Sequence, residues 1–339
     1  IKSLTDEQVC SLNQYHKKNS LDYFFDYFRF TRQLQSVNGI CFIPHLKINT
    51  PTILDNYNVF TGFPLDDGVN KLKVNIFEKS LLYSHILNEM MNGDLGEFNH
   101  FLDHIADTLQ CPDKIRANPH VFKTAQGMGK GMMAFFMSKL IGFQHYISFE
   151  NIRDFFCNFN ALAAGKLLKV IEEVSEMGDA FSKHDILKGV MAAPRERVEP
   201  KGIDAYSVDH SARYWFFTNN DNAIHIPNDD RRYTIHRSND RYANLNTHFD
   251  PIWEEVKNHN FCKSAFDYFV NRNYEVKNVM KYYPTKYKNE QKFKQIGSSL
   301  KFLIECIESN FKNFDNKEIQ VDKITVKVIR EEYKDWIEL

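Results

Sequence analysis

The run Gln126-Gly127-Met128-Gly129-Lys130-Gly131 has the composition of a loop that holds phosphate. Between a strand and a helix, such a glycine-rich turn lets successive backbone N–H groups converge on phosphate oxygens. The helix dipole adds positive potential, and the lysine reaches the terminal phosphates. The flanks fit: His120 to Lys123 reads as a short strand, and Met132 to Ile141 reads as an apolar helix closed by Gly142. The match to G-x-x-x-x-G-K-[ST] is imperfect. Thr124 stands where the first glycine belongs, and Gly131 and Met132 follow the lysine, so no hydroxyl adjoins it. A glycine-rich loop that merely turns the chain has the same composition.

Leu168-Lys169-Val170-Ile171-Glu172-Glu173 is an apolar strand ending in two carboxylates. In a nucleoside triphosphatase one would hold hydrated Mg²⁺ and the next would polarise the attacking water. A strand entering a charged surface turn looks the same. Arg213 to Thr218 is a third strand, its apolar part running into Asn219-Asn220, where an amide can reach a γ-phosphate or a water. Asparagine-rich turns are also common for their left-handed geometry. Beyond lies Asp229-Asp230-Arg231-Arg232, read either as a surface ion-pair cluster or as arginines that stabilise charge on a transferring phosphoryl group. Arg197 to Val208 alternates on both sides of Pro200-Lys201-Gly202, which predicts a hairpin with Lys201 at its tip, suited to a nucleic-acid phosphate.

The order of these signals carries more than any one of them. Phosphate loop, acidic pair, polar strand tip and arginine pair follow one another between Thr124 and Arg232. Strands separated by helices predict an α/β fold, a sheet covered on both faces with its strand ends converging at the carboxyl edge. That core spans 113–245. A mainly helical region, 1–112, precedes it, and a mainly helical, charged region, 246–339, follows it. Phe98, Phe101, Leu102, Ile105 and Leu109 form one helical stripe ending near Cys111-Pro112. Loops and short strands are expected from Asn38 to Asp67, a polar linker from Lys281 to Gln295, an amphipathic helix from Ser299 to Phe311, and a strand or hairpin from Gln320 to Ile329.

Taken together the motifs resemble the superfamily 3 helicases of the AAA+ class, in the branch shared by phage, plasmid and poxvirus-like primase-helicases. The loop of that branch typically reads G-x-x-G-x-G-K-G, close to Thr124–Gly131. Tyr57 to Phe63, Phe159-Asn160, Ile186-Leu187-Lys188 and the run from Asn220 to Arg232 add to the likeness, which covers roughly residues 55 to 310. The resemblance implies an AAA+ P-loop ATPase core that binds ATP through Thr124, Ala125, Gln126, Gly127, Met128, Gly129, Lys130, Gly131 and Met132. It implies Glu172 as the Mg²⁺-side carboxylate, Glu173 as the catalytic carboxylate, Asn220 as sensor, Arg231 or Arg232 as arginine finger, and Lys201 as a DNA contact. It further implies a ring, expected to be a hexamer, acting on single-stranded DNA or a replication fork in the host cytoplasm. Two other readings remain: a non-hydrolysing AAA+ DNA-binding scaffold, and a P-loop small-molecule kinase. The kinase reading leaves the arginine pair and the hairpin unexplained.

The bulk properties set limits. Across 339 residues, 43 basic residues nearly balance 44 acidic ones, so any nucleic-acid contact has to come from a local patch. Six scattered cysteines without a CxxC pair suit a reducing compartment. No apolar run is long enough for a membrane span. The chain opens on Ile1, which reads as a fragment with a further domain, such as a primase or polymerase, ahead of it. His100 and His104 lie four apart but lack the glutamate of HExxH, so they read as packing before metal. The aromatic cluster Tyr23 to Phe30 reads as helical core before base stacking.

Overall fold

A computed structural model of the protein describes residues 39–44, 52–53, 56–60, 62–68, 75–156, 160–174, 184–202, 204–220, 230–295, 297–308, 330 and 333–337. The expected features at Tyr23 to Phe30 and Gln320 to Ile329 lie outside these residues.

Three short strands come first: β1 (Gly39–Cys41), β2 (Thr52–Ile53) and β3 (Asn56–Asn58), in a small sheet ordered β1-β3-β2. Helix α1 (Leu81–His85) runs on into a π-helical turn, Ile86–Met90. Helix α2 (Leu95–Gln110) starts where the Asp94 carboxylate accepts the Glu97 N–H at 2.9 Å. Its predicted stripe is buried throughout, from Phe98 to Leu109.

The central sheet follows. Its strands are β4 (His120–Lys123), β5 (Tyr146–Asn151), β6 (Leu168–Glu173), β9 (Arg213–Thr218) and β10 (Thr234–Arg237). The order is β10-β4-β9-β6-β5, and every pairing is parallel. Between β6 and β9 the chain makes a separate antiparallel hairpin, β7 (Arg195–Val198) with β8 (Tyr206–Asp209). Parallel strands need crossovers, and helices supply them. Helix α3 (Lys130–Ile141) links β4 to β5, α4 (Ile152–Phe155) links β5 to β6, and α5 (His184–Ala192) follows β6.

Side-chain alternation assigns the two faces. Phe122, Leu168, Val170, Trp215 and Phe217 pack with α3 residues such as Met133, Phe136 and Met137. Their neighbours in sequence, Val121, Ile171, Tyr214 and Phe216, pack on the other face with Ile152, Leu187 and Met191. Period-two strands with both faces apolar read as continuous hydrophobic runs, as β9 does. Helices α6 (Asn246–Lys257) and α7 (His259–Asn271) join the α3 face beside α2. Short α8 (Val276–Val279), α9 (Lys286–Gln295) and α10 (Ser298–Glu308) follow, and residues 333–337 are also helical, with Tyr333 and Trp336 packed on Phe302 of α10.

Buried charges pin the layers. Asp107 of α2 accepts from Arg116 (2.7 Å) and Arg213 (2.7 Å), and the Asp107 and Arg213 side chains are 0% and 1% exposed. The expected linker from Lys281 to Gln295 is overturned from Lys286 onward: that part is helix α9, and its Lys288 ammonium is fully buried against Asp230 at 2.8 Å. A lysine-rich stretch sits against the core because one of its lysines is neutralised there.

Candidate functional site

In an all-parallel sheet every strand ends at one edge, and here Lys123, Asn151, Glu173, Thr218 and Arg237 are the strand tips. Lys123 lies opposite Thr218, Asn151 lies opposite Glu173, and Val174 N–H donates to Phe217 O at 3.0 Å. The three strands whose ends were read as chemically active therefore lie side by side, with β9 between β4 and β6.

The glycine loop leaves β4 at this edge. Thr124 N–H extends the pairing to Thr218 O at 3.0 Å, and Lys130 is the first residue of α3. Gly127 (φ 78°) and Gly129 (φ 84°) hold left-handed backbone that side-chain-bearing residues adopt at a cost. Both are also crowded: a Cβ on Gly127 would lie 2.1 Å from Asn244 Oδ1, and one on Gly129 would lie 2.9 Å from a Phe249 ring carbon. Nothing lies within 4 Å of such an atom on Gly131. The turn after β10 clasps the loop from outside. Asp240 accepts the Ala125 N–H at 2.9 Å, and Asn244 N–H donates to Gly127 O at 3.2 Å. Asp240 (φ 59°) and Asn244 (φ 60°) are themselves left-handed. Below the loop, His85 Nε2 lies 3.3 Å from Met128 O, which puts the π-helical turn directly beneath it.

Lys130 and Glu172 are each half-buried, and Glu173 is exposed. Burial lowers the Lys130 ammonium pKa, opposed first by Glu172 and then by Glu173. Burial raises the Glu172 carboxyl, opposed by Lys130. Desolvation outweighs the mutual attraction in both, so the pair is one that an added phosphate or cation would charge more fully. Parity agrees with the coupling, since Glu172 shares the α3 face with Leu168 and Val170 while Glu173 points away. Met132 is buried in the core and supplies no oxygen. A Mg²⁺ ion fits this donor set in the usual way for that ion, through a single carboxylate, Glu172, with phosphate oxygens and waters. Thr124 is buried, and its hydroxyl lacks a partner among the described residues. Asn220 follows β9, its N–H donating to Thr218 Oγ1 at 3.0 Å.

The arginine pair is elsewhere. Arg231 and Arg232 precede β10, at the amino edge of the sheet, where they share a cavity with Ala117 and Asn118 ahead of β4. At about 3.3 Å per residue, a four-residue strand places them on the order of 13 Å or more from their own loop edge. Arg232 donates to Lys188 O at 3.1 Å, whereas Arg231 is exposed. Asp230, grouped with them in sequence as a surface acid, is buried.

The hairpin forms as the alternation predicts, with Lys201-Gly202 in its turn and Gly202 at φ 76°. It too joins the sheet at the amino edge, because β8 ends just before β9 begins. Lys169 of β6 pairs with Glu196 of β7 at 2.6 Å, and Asn160 donates to Arg197 O at 2.8 Å.

His100 and His104 are buried on α2 against His120, and His100 Nε2 lies 3.0 Å from Lys281 O. Among the described residues no group of three His, Cys, Asp or Glu is placed to hold a metal ion. Cys41, Cys111 and Cys262 carry unbridged thiols, and no described helix is long and apolar enough to cross a membrane. Sequence reading missed the clasp residues Asp240 and Asn244. The only trace they leave is Asn/Asp at two left-handed turn positions.

The class is thus a mixed α/β protein, a five-stranded parallel sheet flanked by helices, with a strand, glycine-rich loop and helix at its carboxyl edge. Residues 122–232, from within β4 to the arginine pair, match a family described as of unknown function, DUF5906. No curated protein matches the chain. Among solved structures, the apo C terminal region of NrS-1 aligns with a TM-score of 0.64 at 17% identity, over 83% of this chain and 70% of that one. An A form apo structure of the same region gives 0.64 at 14% identity, over 87% and 70%. The fold is the one these structures have. A JCV helicase aligns over 67% of this chain and 70% of its own, at 13% identity and a TM-score of 0.32, too loose to carry a structural argument.

Proposed function

We propose that this chain is the ATP-hydrolysing motor of a ring-forming DNA helicase. The observation that carries the reading is the convergence of loop, acids and polar tip at one sheet edge while the arginines sit at the opposite edge. A site laid out this way has most of its parts in one subunit and takes its arginine from the next.

In this reading the loop amides and the α3 amino terminus cradle the triphosphate, and Lys130 binds its terminal phosphates. Mg²⁺ held at Glu172 supplies charge neutralisation on the phosphate oxygens. Glu173, exposed at the strand tip, orients a water and accepts its proton as the oxygen attacks the γ-phosphorus. The bond to the β-phosphate breaks, and ADP leaves with the electron pair. Asn220 hydrogen-bonds the γ-phosphate or that water. Arg231, the exposed member of its pair, stabilises the transferring group from a neighbouring subunit. Lys201 grips single-stranded DNA from the hairpin tip. A hexamer is the ring size we favour.

A second reading, an ATP-binding but non-hydrolysing scaffold, is favoured by one observation: Gly131 and buried Met132 put no hydroxyl beside Lys130. A DNA-stimulated phosphate-release assay separates the two. The motor reading expects wild-type turnover, loss of nucleotide binding in Lys130→Ala, and binding without turnover in Glu173→Gln, a fall on the order of 100-fold or more. Absence of wild-type hydrolysis with tight ATP binding selects the scaffold. Unchanged nucleotide affinity in Lys130→Ala removes the phosphate-loop assignment altogether.

A further inference from the structure

The cavity at the amino edge holds more positive charge than an arginine finger accounts for. It encloses about 590 Å³, and its lining includes Arg231, Arg232 and Lys281 with Asn118, Met280 and Tyr282. None of its described lining residues is acidic. The acid nearest in sequence, Asp230, is turned inward onto Lys288 at 2.8 Å, the two side chains at most 2% exposed. Arg232 is committed to the Lys188 carbonyl.

Lys281 comes from the chain after α8, far from the arginines in sequence, yet its backbone is fixed beside them. Its carbonyl lies 3.0 Å from His100 Nε2 and accepts from Asn118 Nδ2 at 3.3 Å. Its N–H donates to Asn278 O at 3.1 Å. The side chain is exposed, and Met280 beside it is 62% exposed. A held backbone carrying an exposed ammonium into a cavity with no counter-charge among its described lining residues is built to meet an anion from outside. An exposed methionine on its rim suits a protein surface.

We propose that Lys281 is a second cation acting in trans, reaching with Arg231 the triphosphate seated on a second copy of this chain. This rests on the motor reading above and adds to it a residue from the C-terminal helical region. The anion chemistry, charged phosphate oxygens, is shared by a nucleic-acid backbone, and the test below separates the two sources.

Lys281→Ala is expected to keep its melting temperature and its affinity for a non-hydrolysable ATP analogue, and to lose turnover on the order of 100-fold. Lys281→Arg should retain much of the activity. Mixing Lys281→Ala with Lys130→Ala should restore turnover, because one interface then pairs an intact loop with an intact Lys281. Mixing Lys281→Ala with Arg231→Ala should restore nothing, because no interface has both cations. Recovery in that second mixture overturns the proposal, as does full turnover in Lys281→Ala. Weakened binding of single-stranded DNA with unchanged basal turnover assigns the cavity to nucleic acid and also overturns it. A wild-type chain that does not hydrolyse ATP overturns the motor reading, and this inference with it.

Discussion

Gly127→Ala is the perturbation whose cost is best defined by the structure. The backbone there stands at φ 78°, where an L-residue costs roughly 1–2 kcal/mol relative to glycine. The new Cβ would sit 2.1 Å from Asn244 Oδ1 and 2.8 Å from the Asn244 backbone nitrogen. Overpacking of this kind adds about 1–3 kcal/mol. The loop is easier to displace than the sheet beneath it, so the strain should fall on the phosphate-holding conformation. Taking about 2 kcal/mol as the lower bound, nucleotide affinity should fall at least about 30-fold. Calorimetric or fluorescence titration with ATP, run beside a thermal melt, measures both parts. Adding Asn244→Ala should recover only part of the loss, since the backbone nitrogen and the left-handed φ remain. Gly131→Ala is the contrast: helical, with nothing within 4 Å of its Cβ, it should raise stability by about 0.5–1 kcal/mol. Wild-type affinity and melting in Gly127→Ala would refute the assigned loop geometry.

Lys201→Ala should weaken single-stranded DNA binding at every base sequence and lower its salt slope by about one phosphate contact, leaving basal ATPase activity intact; equal affinity at several salt concentrations would remove the hairpin from the nucleic-acid path. Asp107→Asn should destabilise the protein by about 3–5 kcal/mol, because it strands Arg116 and Arg213 in the core; a denaturant midpoint within error of wild type would contradict that. Stability should fall as pH drops from about 6.5 toward about 4. Burial lowers His85 and His145 to about 4 and depresses His100, His104 and His120 as well. In that window the unfolded chain binds more protons than the folded one, which disfavours folding as pH falls. Melting temperatures that stay level or rise between pH 7 and pH 5 would count against it.

What the sequence disclosed depended on how local each feature's cause is. β9 is read residue for residue, because the four consecutive buried aromatics Tyr214 to Phe217 leave an unbroken apolar run at its centre. The loop is legible through glycines that stand at left-handed positions, and the hairpin through its alternation and Gly202. β5 escaped notice because it is a half-exposed edge strand. β10 escaped because it is short and polar. Its His236 is buried between Glu97 of α2 and His120 of β4, each more than a hundred residues away. Lys288 in α9 and Asp240 in the clasp fall in the same category: each is explained by a partner brought close only by the fold. The edge of the sheet that the arginines occupy was not legible, since residue order alone does not say where Arg231 and Arg232 fall relative to the strand tips.

The buried pair between Lys169 and Glu196 has a mechanical meaning. Lys169 lies three positions before Glu172 on the same strand, and Glu196 lies on the hairpin. Separating them would leave an ammonium without a partner in the interior, at a cost of about 3–5 kcal/mol. With each 1.4 kcal/mol worth a factor of ten, the detached state is occupied about one time in a hundred to one in several thousand. The joint between strand and hairpin is therefore stiff against thermal motion. Any displacement of the hairpin relative to the strand that ends in Glu172 and Glu173 has to break this pair first.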